Sequence, residues 1–166
     1  MNPRPGRSIT VQTYHGTDIP NSIECDPSPE AVAMQTQSLR RGTLILAGAR
    51  PLGPPTGRYN CHGLVFASRR TNVPAAGVFD EGVIEALLTR DEYERIPSSP
   101  QVGDIIVYRS DSGEIEHTGF VNRTEDIGSV RKVFVWSKWG ALEEYEHLEK
   151  ICPYGNYTIE YWRLKR

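Results

Sequence analysis

The chain has 166 residues, a net charge of -2 at pH 7 and 24% charged residues, which are ordinary proportions for a soluble globular domain. The length favours one domain that can bury a sizeable core without disulfides or metals. The nearly balanced charge argues against a nucleic-acid partner and against a membrane partner.

The cysteines and the N-terminus give two further predictions. Cys25, Cys61 and Cys152 are widely spaced, odd in number and form no CxxC pair. We therefore predict neither a disulfide framework nor a metal site, and no cofactor. Residues 1–7 precede no apolar run, so the sequence predicts neither a secretory signal nor a membrane span. We expect a cytoplasmic protein, or one exported by a route without a cleavable signal.

The first part of the sequence predicts an edge strand, a helix and a loop. Residues 8–14 alternate polar and apolar side chains, which favours a strand. A helix is predicted over residues 31–41 and is stopped by Gly42. The apolar run 43–47 is a short strand or a continuation of this helix. Residues 50–57 are rich in proline and glycine and predict a loop.

A cysteine follows this loop at the start of a short predicted helix. Asn60 is a good N-cap, and Cys61 then lies in the first turn of the helix. Leu64 and Val65 fall on the same side of this helix as the cysteine. Free N–H groups and the helix dipole favour an anion there, so we predict a lowered thiol pKa and a nucleophilic thiolate. The alternative interpretation is a buried cysteine in a core helix.

A second amphipathic helix is predicted over residues 79–88, and the remainder of the chain predicts strands. A tight turn at 111–113 separates the first two strands. The predicted strands cover residues 102–108, 116–121, 130–138, 143–147 and 157–164. Helices in the first half packed on an antiparallel sheet from the second half make an α+β domain. We assign residues 1–57 to an extension within this domain and 58–166 to its core.

His117 is the best candidate base for the cysteine. It begins a predicted strand, and the small residues Thr118 and Gly119 beside it leave room for a substrate. A Cys–His pair of this kind can catalyse acyl transfer, and we expect the Cys61 sulfur and the His117 imidazole to lie within about hydrogen-bond reach. A structural strand histidine is the alternative. The other histidines are weaker candidates: His15, His62 and His147.

Three motifs resemble those of NlpC-type papain-like cysteine peptidases, and the related CHAP amidases share their order. YNCHGLV (59–65) is similar to the aromatic-Asp-Cys-Ser-Gly-Leu-Val motif around the nucleophile. QVGDIIVY (101–108) resembles the Pro-Gly-Asp strand, and HTGFV (117–121) resembles the His-Val-Gly-Ile strand that carries the base. The resemblance implies a papain-like fold and hydrolysis of an amide bond, often in bacterial cell-wall peptides.

The motifs depart from the family pattern in two places. Asn60 and His62 replace its usual Asp and Ser. The family also places a polar residue on the strand after the base, and alignment puts that orienting position at Trp136, next to His117. An indole N–H is only a donor and cannot accept the imidazole proton. Ser137 is adjacent, but it would need a bulge or another register to point inward.

These observations leave three functional hypotheses. The first is a cysteine peptidase or amidase in which Cys61 attacks, His117 acts as base and then acid, and the Cys61 backbone N–H stabilises the oxyanion. The second is a catalytically weak or inactive binding or regulatory module on the same scaffold. The third is a deamidase or acyl transferase that uses the same dyad. In each case the expected partner is a peptide or amide.

Overall fold

A computed structural model describes residues 8–41, 48–77, 79–155 and 157–165. Within these residues the chain forms three helices, α1 (Pro29–Arg41), α2 (Cys61–Phe66) and α3 (Val83–Arg90). It also forms seven strands: β1 (Ala49–Pro51), β2 (Tyr93–Ile96), β3 (Ile105–Arg109), β4 (Ile115–Ile127), β5 (Val130–Lys138), β6 (Glu144–Leu148) and β7 (Thr158–Leu164).

The strands form one antiparallel sheet in the order β1-β6-β5-β4-β3-β7-β2. Strands β3 to β6 make a meander with neighbours paired along the chain, and the helices of the first half precede it. Strand β7 then pairs with the free edge of β3, and β2 completes the sheet on its other side. The predicted α+β class with an antiparallel sheet is therefore confirmed, although β1 precedes α2 and α3 along the chain.

The structure differs from the sequence-based prediction at the edges of the sheet. Residues 8–14 form no strand and contribute only the isolated bridge between Gln12 and Asp18. The predicted loop 50–57 begins inside β1, where Pro51 is tolerated because an edge strand can lack an N–H. The short strand β2 was not predicted. Gly42 and the run 43–47 lie outside the described residues.

The sheet has two different faces because successive strand residues point in opposite directions. On the helix face, Ile105 and Val107 pack with the buried residues of α3. On the opposite face, which we call the far face, Ile106 and Val121 pack with Cys152. This alternation decides which side chains of β4 and β5 meet at the candidate site.

The Gly-Asp pair before β3 is a structural link. The Asp104 carboxylate accepts two hydrogen bonds of 2.7 Å from the Arg163 guanidinium and one of 2.7 Å from the Gln101 N–H. Burial raises the pKa of Asp104, but these donors outweigh it and hold the pKa below its usual value. Gly103 has φ +93°, a left-handed conformation that favours glycine at this turn.

None of the helices in the described part of the chain combines the length and the apolar character needed to cross a membrane.

Candidate active site

Asn60 fixes the start of α2, as the sequence predicts. Its side-chain oxygen accepts the N–H of Gly63 at 2.8 Å and the N–H of Val73 at 3.1 Å, while its amide donates to the Val73 carbonyl at 2.8 Å. One side chain therefore caps the helix and holds the following loop against it. A Cβ on Gly63 would lie 1.9 Å from the Thr71 carbonyl oxygen, so glycine is required for this close approach.

The Cys61 thiol is buried and protonated at neutral pH. Only 7% of the residue is exposed, and burial raises the pKa of the thiol to about 11. Backbone N–H groups of Thr118, His62 and Cys61 itself point at the sulfur and lower this pKa, as does the charge of Lys138, but they do not offset burial. The predicted lowered pKa is therefore wrong, because a six-residue helix start cannot compensate for desolvation.

His117 is fully buried on the far face and has no polar partner. Neither of its ring nitrogens makes a hydrogen bond. Its imidazole lies between two aromatic rings, with centroid distances of 5.5 Å to Tyr108 and 4.9 Å to Tyr154. We call this site, in which the two rings enclose the imidazole, the His117 chamber. Burial, followed by the neighbouring His147 and His62, lowers the pKa of His117 well below its ordinary value.

Cys61 and His117 are both neighbours of Thr118 on β4, the first through space and the second along the chain. The Thr118 side chain points to the helix face, where its hydroxyl lies 3.0 Å from His62 Nδ1. Its backbone N–H lies in the plane of the sheet and faces the Cys61 sulfur, where it lowers the pKa of the thiol. The sulfur therefore lies at the rim of the sheet, beside the residue that follows His117.

Two residues of the far face also interact electrostatically with Cys61, namely Cys152 and Tyr154. Their positions support the location of the thiol at the rim rather than on the helix face alone. Because both His117 nitrogens are unpartnered, the expected thiol–imidazole hydrogen bond is not formed in this arrangement.

Trp136 does not lie beside His117, and the predicted placement is wrong. The register pairs Gly119 with Ser137 and Phe120 with Trp136, so Trp136 points to the helix face. There its indole N–H donates to the Glu144 carboxylate at 2.6 Å. The error arises because alternation divides the residues of one strand between two faces. Which of them share a face with a given residue of the neighbouring strand depends on the register.

Ser137 shares the face of His117 without a local bulge, but its hydroxyl serves His147. The His147 Nδ1 lies 2.8 Å from the Leu148 carbonyl and must donate, so its Nε2 accepts from Ser137 at 2.8 Å. The Trp139 indole donates to the same hydroxyl at 3.0 Å. Burial lowers the pKa of His147 to about 4, so this chain of hydrogen bonds is neutral.

Lys138 joins the two loops that flank the cysteine. Its ammonium donates to the carbonyls of Thr56 at 2.9 Å and Gly140 at 2.6 Å, and also to the carbonyl of Leu142. It lies 5.5 Å from the centre of the Tyr59 ring. Burial lowers the pKa of Lys138 to about 8, so it carries a positive charge at neutral pH.

A groove of about 550 Å³ runs beside this site. Its walls include Tyr59 and Asn60, which directly precede the cysteine, and Gly140 and Ala141 on the opposite side. The other lining residues are Pro20, Asn21, Ser22, Glu24, Gly57, Asn72 and Pro74.

From the sequence we named Cys61, His117 and Ser137 as candidate site residues and His147 as a weaker candidate, but we named neither Tyr154 nor Lys138. His147 became relevant only through the register of β6, which places it opposite Val135. Tyr154 lies in a Pro-Tyr-Gly turn without periodicity, and Lys138 is a buried charge that alternation alone does not reveal.

Comparisons with known proteins found no match to the chain, whether among family models, curated proteins or solved structures. The resemblance to NlpC-type peptidases therefore depends on the three sequence motifs alone.

Proposed function

We propose that this chain is a cysteine hydrolase that cleaves an amide or peptide bond, with Cys61 as nucleophile and His117 as general base. One observation carries the proposal: a fully buried imidazole with both nitrogens unpartnered directly precedes Thr118, whose backbone N–H faces the cysteine sulfur. Buried polar groups are nearly always hydrogen-bonded, and exceptions are frequently functional groups. A papain-like arrangement is part of this proposal.

The papain-like arrangement is supported by the order of the elements. A capped helix carries the cysteine at its first position, and the antiparallel strands that follow carry the histidine. The strand after the histidine then offers Ser137 on the same face.

The reaction begins from the neutral thiol and the neutral imidazole. His117 takes the Cys61 proton as the sulfur attacks the carbonyl carbon, which gives a tetrahedral oxyanion near the Cys61 backbone N–H. Collapse of this intermediate breaks the C–N bond, and His117 returns the proton to the leaving amine. Water then hydrolyses the thioester, releases the acid and regenerates the thiol.

The geometry also predicts that turnover is slow on generic amides. His117 has no acceptor that orients its ring, and losing the orienting group of a related triad costs about 10⁴-fold in turnover. The high thiol pKa and the low imidazole pKa further oppose proton transfer until a substrate changes their surroundings.

The same features favour a binding or regulatory module as the second candidate. The site is closed, and its polar network around Ser137 and His147 is satisfied without a catalytic partner. A deamidase or acyl transferase would use the Cys61–His117 pair with a different amide or a different acyl acceptor.

Mass spectrometry of products separates these functions. We would incubate peptide libraries, cell-wall fragments and cell extracts with the protein and with its Cys61→Ala and His117→Ala variants, using Cys25→Ser as a matched control. We expect cleavage products from the unaltered protein and the Cys25→Ser variant, and none from the other two. Products that retain the backbone but lose ammonia indicate a deamidase, and acyl adducts on an added amine indicate a transferase. Capture of a partner by both the unaltered protein and Cys61→Ala, without any product, would overturn the hydrolase in favour of a binding module.

A further inference from the structure

We propose that Tyr154 is a gate between the groove and the His117 chamber, and that its side chain must move before a substrate reaches the imidazole. This inference rests on the proposed hydrolase function and adds a residue that controls access to it.

The first observation is how the imidazole is covered. Tyr154 and Tyr108 close opposite sides of His117, with centroid distances of 4.9 Å and 5.5 Å. Tyr108 is fully buried in the core of the far face, whereas 43% of Tyr154 is exposed. Only Tyr154 can leave the imidazole without opening that core.

The second observation is a backbone contact that holds the gate. The Gly140 backbone lies against the Tyr154 hydroxyl: a Cβ on Gly140 would lie 3.8 Å from that oxygen, and the Gly140 N–H lowers the pKa of Tyr154 against the larger raising effect of burial. Gly140 is also a wall of the groove, and its carbonyl accepts from Lys138. The same tyrosine therefore contacts the groove wall with its hydroxyl and His117 with its ring.

The chain around Tyr154 can accommodate such a movement. The described residues between β6 and β7 form no helix or strand, and Gly155 has φ +106°, in the region that favours glycine. On either side the chain is anchored. The Tyr157 ring packs on Tyr108 at 5.4 Å, and its hydroxyl donates to the Cys152 carbonyl at 3.4 Å. A movement limited to residues 153–155 would uncover His117 and leave these anchors in place.

The gate controls access to the two unpartnered nitrogens of the imidazole. While Tyr154 covers the imidazole, neither nitrogen can reach a substrate amide or water. Once the ring is displaced, His117 can accept the Cys61 proton and deliver it to the leaving amine. The buried imidazole then regains hydration or a polar partner, which restores its basicity.

Two variants of Tyr154 test the gate without any need for turnover. Tyr154→Phe keeps the ring and removes the hydroxyl that lies against Gly140, whereas Tyr154→Ala removes the ring. The matched control is Tyr157→Phe, which alters an anchor outside the gate. The two readouts are the NMR titration of His117 and the rate at which iodoacetamide labels Cys61, with exposed Cys25 as the internal reference.

We expect Tyr154→Ala to label Cys61 more than about 10-fold faster than the unaltered protein and Tyr154→Phe about 5-fold faster, since the second variant loses only one neutral polar contact. In Tyr154→Ala the pKa of His117 should rise towards its ordinary value. The other titratable groups that face or influence His117 are Tyr108, His147 and His62, and all are unchanged in these variants.

Unchanged labelling and titration in a folded Tyr154→Ala variant would overturn the gate. If that variant does not fold, Tyr154→Phe decides, and a labelling rate equal to that of Tyr157→Phe overturns it. Neither readout depends on product. Faster labelling without product in any variant supports the gate and contradicts the hydrolase, whereas product formation with no effect of Tyr154 does the reverse.

Discussion

Two buried imidazoles in this protein lie close enough to influence each other and yet have opposite environments. His147 donates to the Leu148 carbonyl and accepts from Ser137, so its neutral form is fully satisfied. His117 is equally buried and makes no hydrogen bond. A buried polar group without a partner destabilises the folded state, so the protein tolerates a cost at His117 that it avoids at His147.

We predict opposite effects on stability from the same substitution at these two residues. His117→Leu removes an unsatisfied polar group and should leave the free energy of unfolding equal or about 1 kcal/mol higher. His147→Leu leaves the Leu148 carbonyl and the Ser137 hydroxyl without their partner and should cost about 1–3 kcal/mol. Urea denaturation monitored by tryptophan fluorescence measures both. A large loss in His117→Leu would mean that His117 has a structural hydrogen bond.

At the scale of the elements, the short helix α2 depends on a side chain outside it. With only six residues, α2 is too short to be stable on its own, and the Asn60 cap joins it to Val73. The position of Cys61 at the sheet rim therefore depends on this cap.

We predict that Asn60→Ala lowers the free energy of unfolding by about 2 kcal/mol, because it loses the cap and leaves the Val73 N–H unsatisfied. Asn60→Asp is the matched control. It keeps the acceptor oxygen for Gly63 and Val73, but it replaces the donor to the Val73 carbonyl with a carboxylate oxygen that this carbonyl repels. Thermal and urea unfolding compare the two variants. Equal losses in both would assign the stability to the amide donor instead of the cap.

The elements themselves were largely predictable, and their registers were not. Residues 130–138 alternate so clearly that the predicted strand matches β5, and Asn60 gave the start of α2. Which face of β5 meets His117 depends on pairing with β4, and the bulge between Val121 and Arg123 shifts that register further along the strand. Trp136 was therefore assigned to the wrong face. The Ser137 hydroxyl hydrogen-bonds His147 instead of orienting the candidate base.

For the whole molecule, the buried neutral histidines determine how stability depends on pH. Burial lowers the pKa of His62 and of His147 to about 4, and that of His117 well below its ordinary value of 6.5. Below that value the unfolded chain binds protons that the folded chain does not, so stability is present at neutral pH and lost as the pH falls.

We predict a marked loss of stability between pH 7.5 and pH 5, since each of these histidines contributes about 1.4 kcal/mol per pH unit below its unfolded pKa. Thermal unfolding across this range should show a steadily falling Tm. His117→Leu should reduce the slope of stability against pH by about one third, as expected when one of three such histidines is removed. A Tm that is constant across this range would contradict the burial of all three.

The α+β class followed from the sequence because helical spacing fills the first half and alternation fills the second. The sheet order could not be predicted in the same way. Strands β1 and β2 have three and four residues, too few for a periodic pattern, and they pair with partners far along the chain. Likewise, the His117 chamber depends on Tyr154, which reaches β4 from a turn beyond β6.

The inner position of β7 has a consequence for how this protein is made. This strand follows all the others along the chain, yet it lies between β3 and β2. While the chain emerges from a ribosome, the cysteine helix and the meander are synthesised first, and the edge of β3 stays unpaired until β7 arrives. Non-local pairing of this kind is slow, and an open strand edge invites association with other chains. Nascent chains should therefore need chaperones to protect the open edge of β3 until β7 has docked.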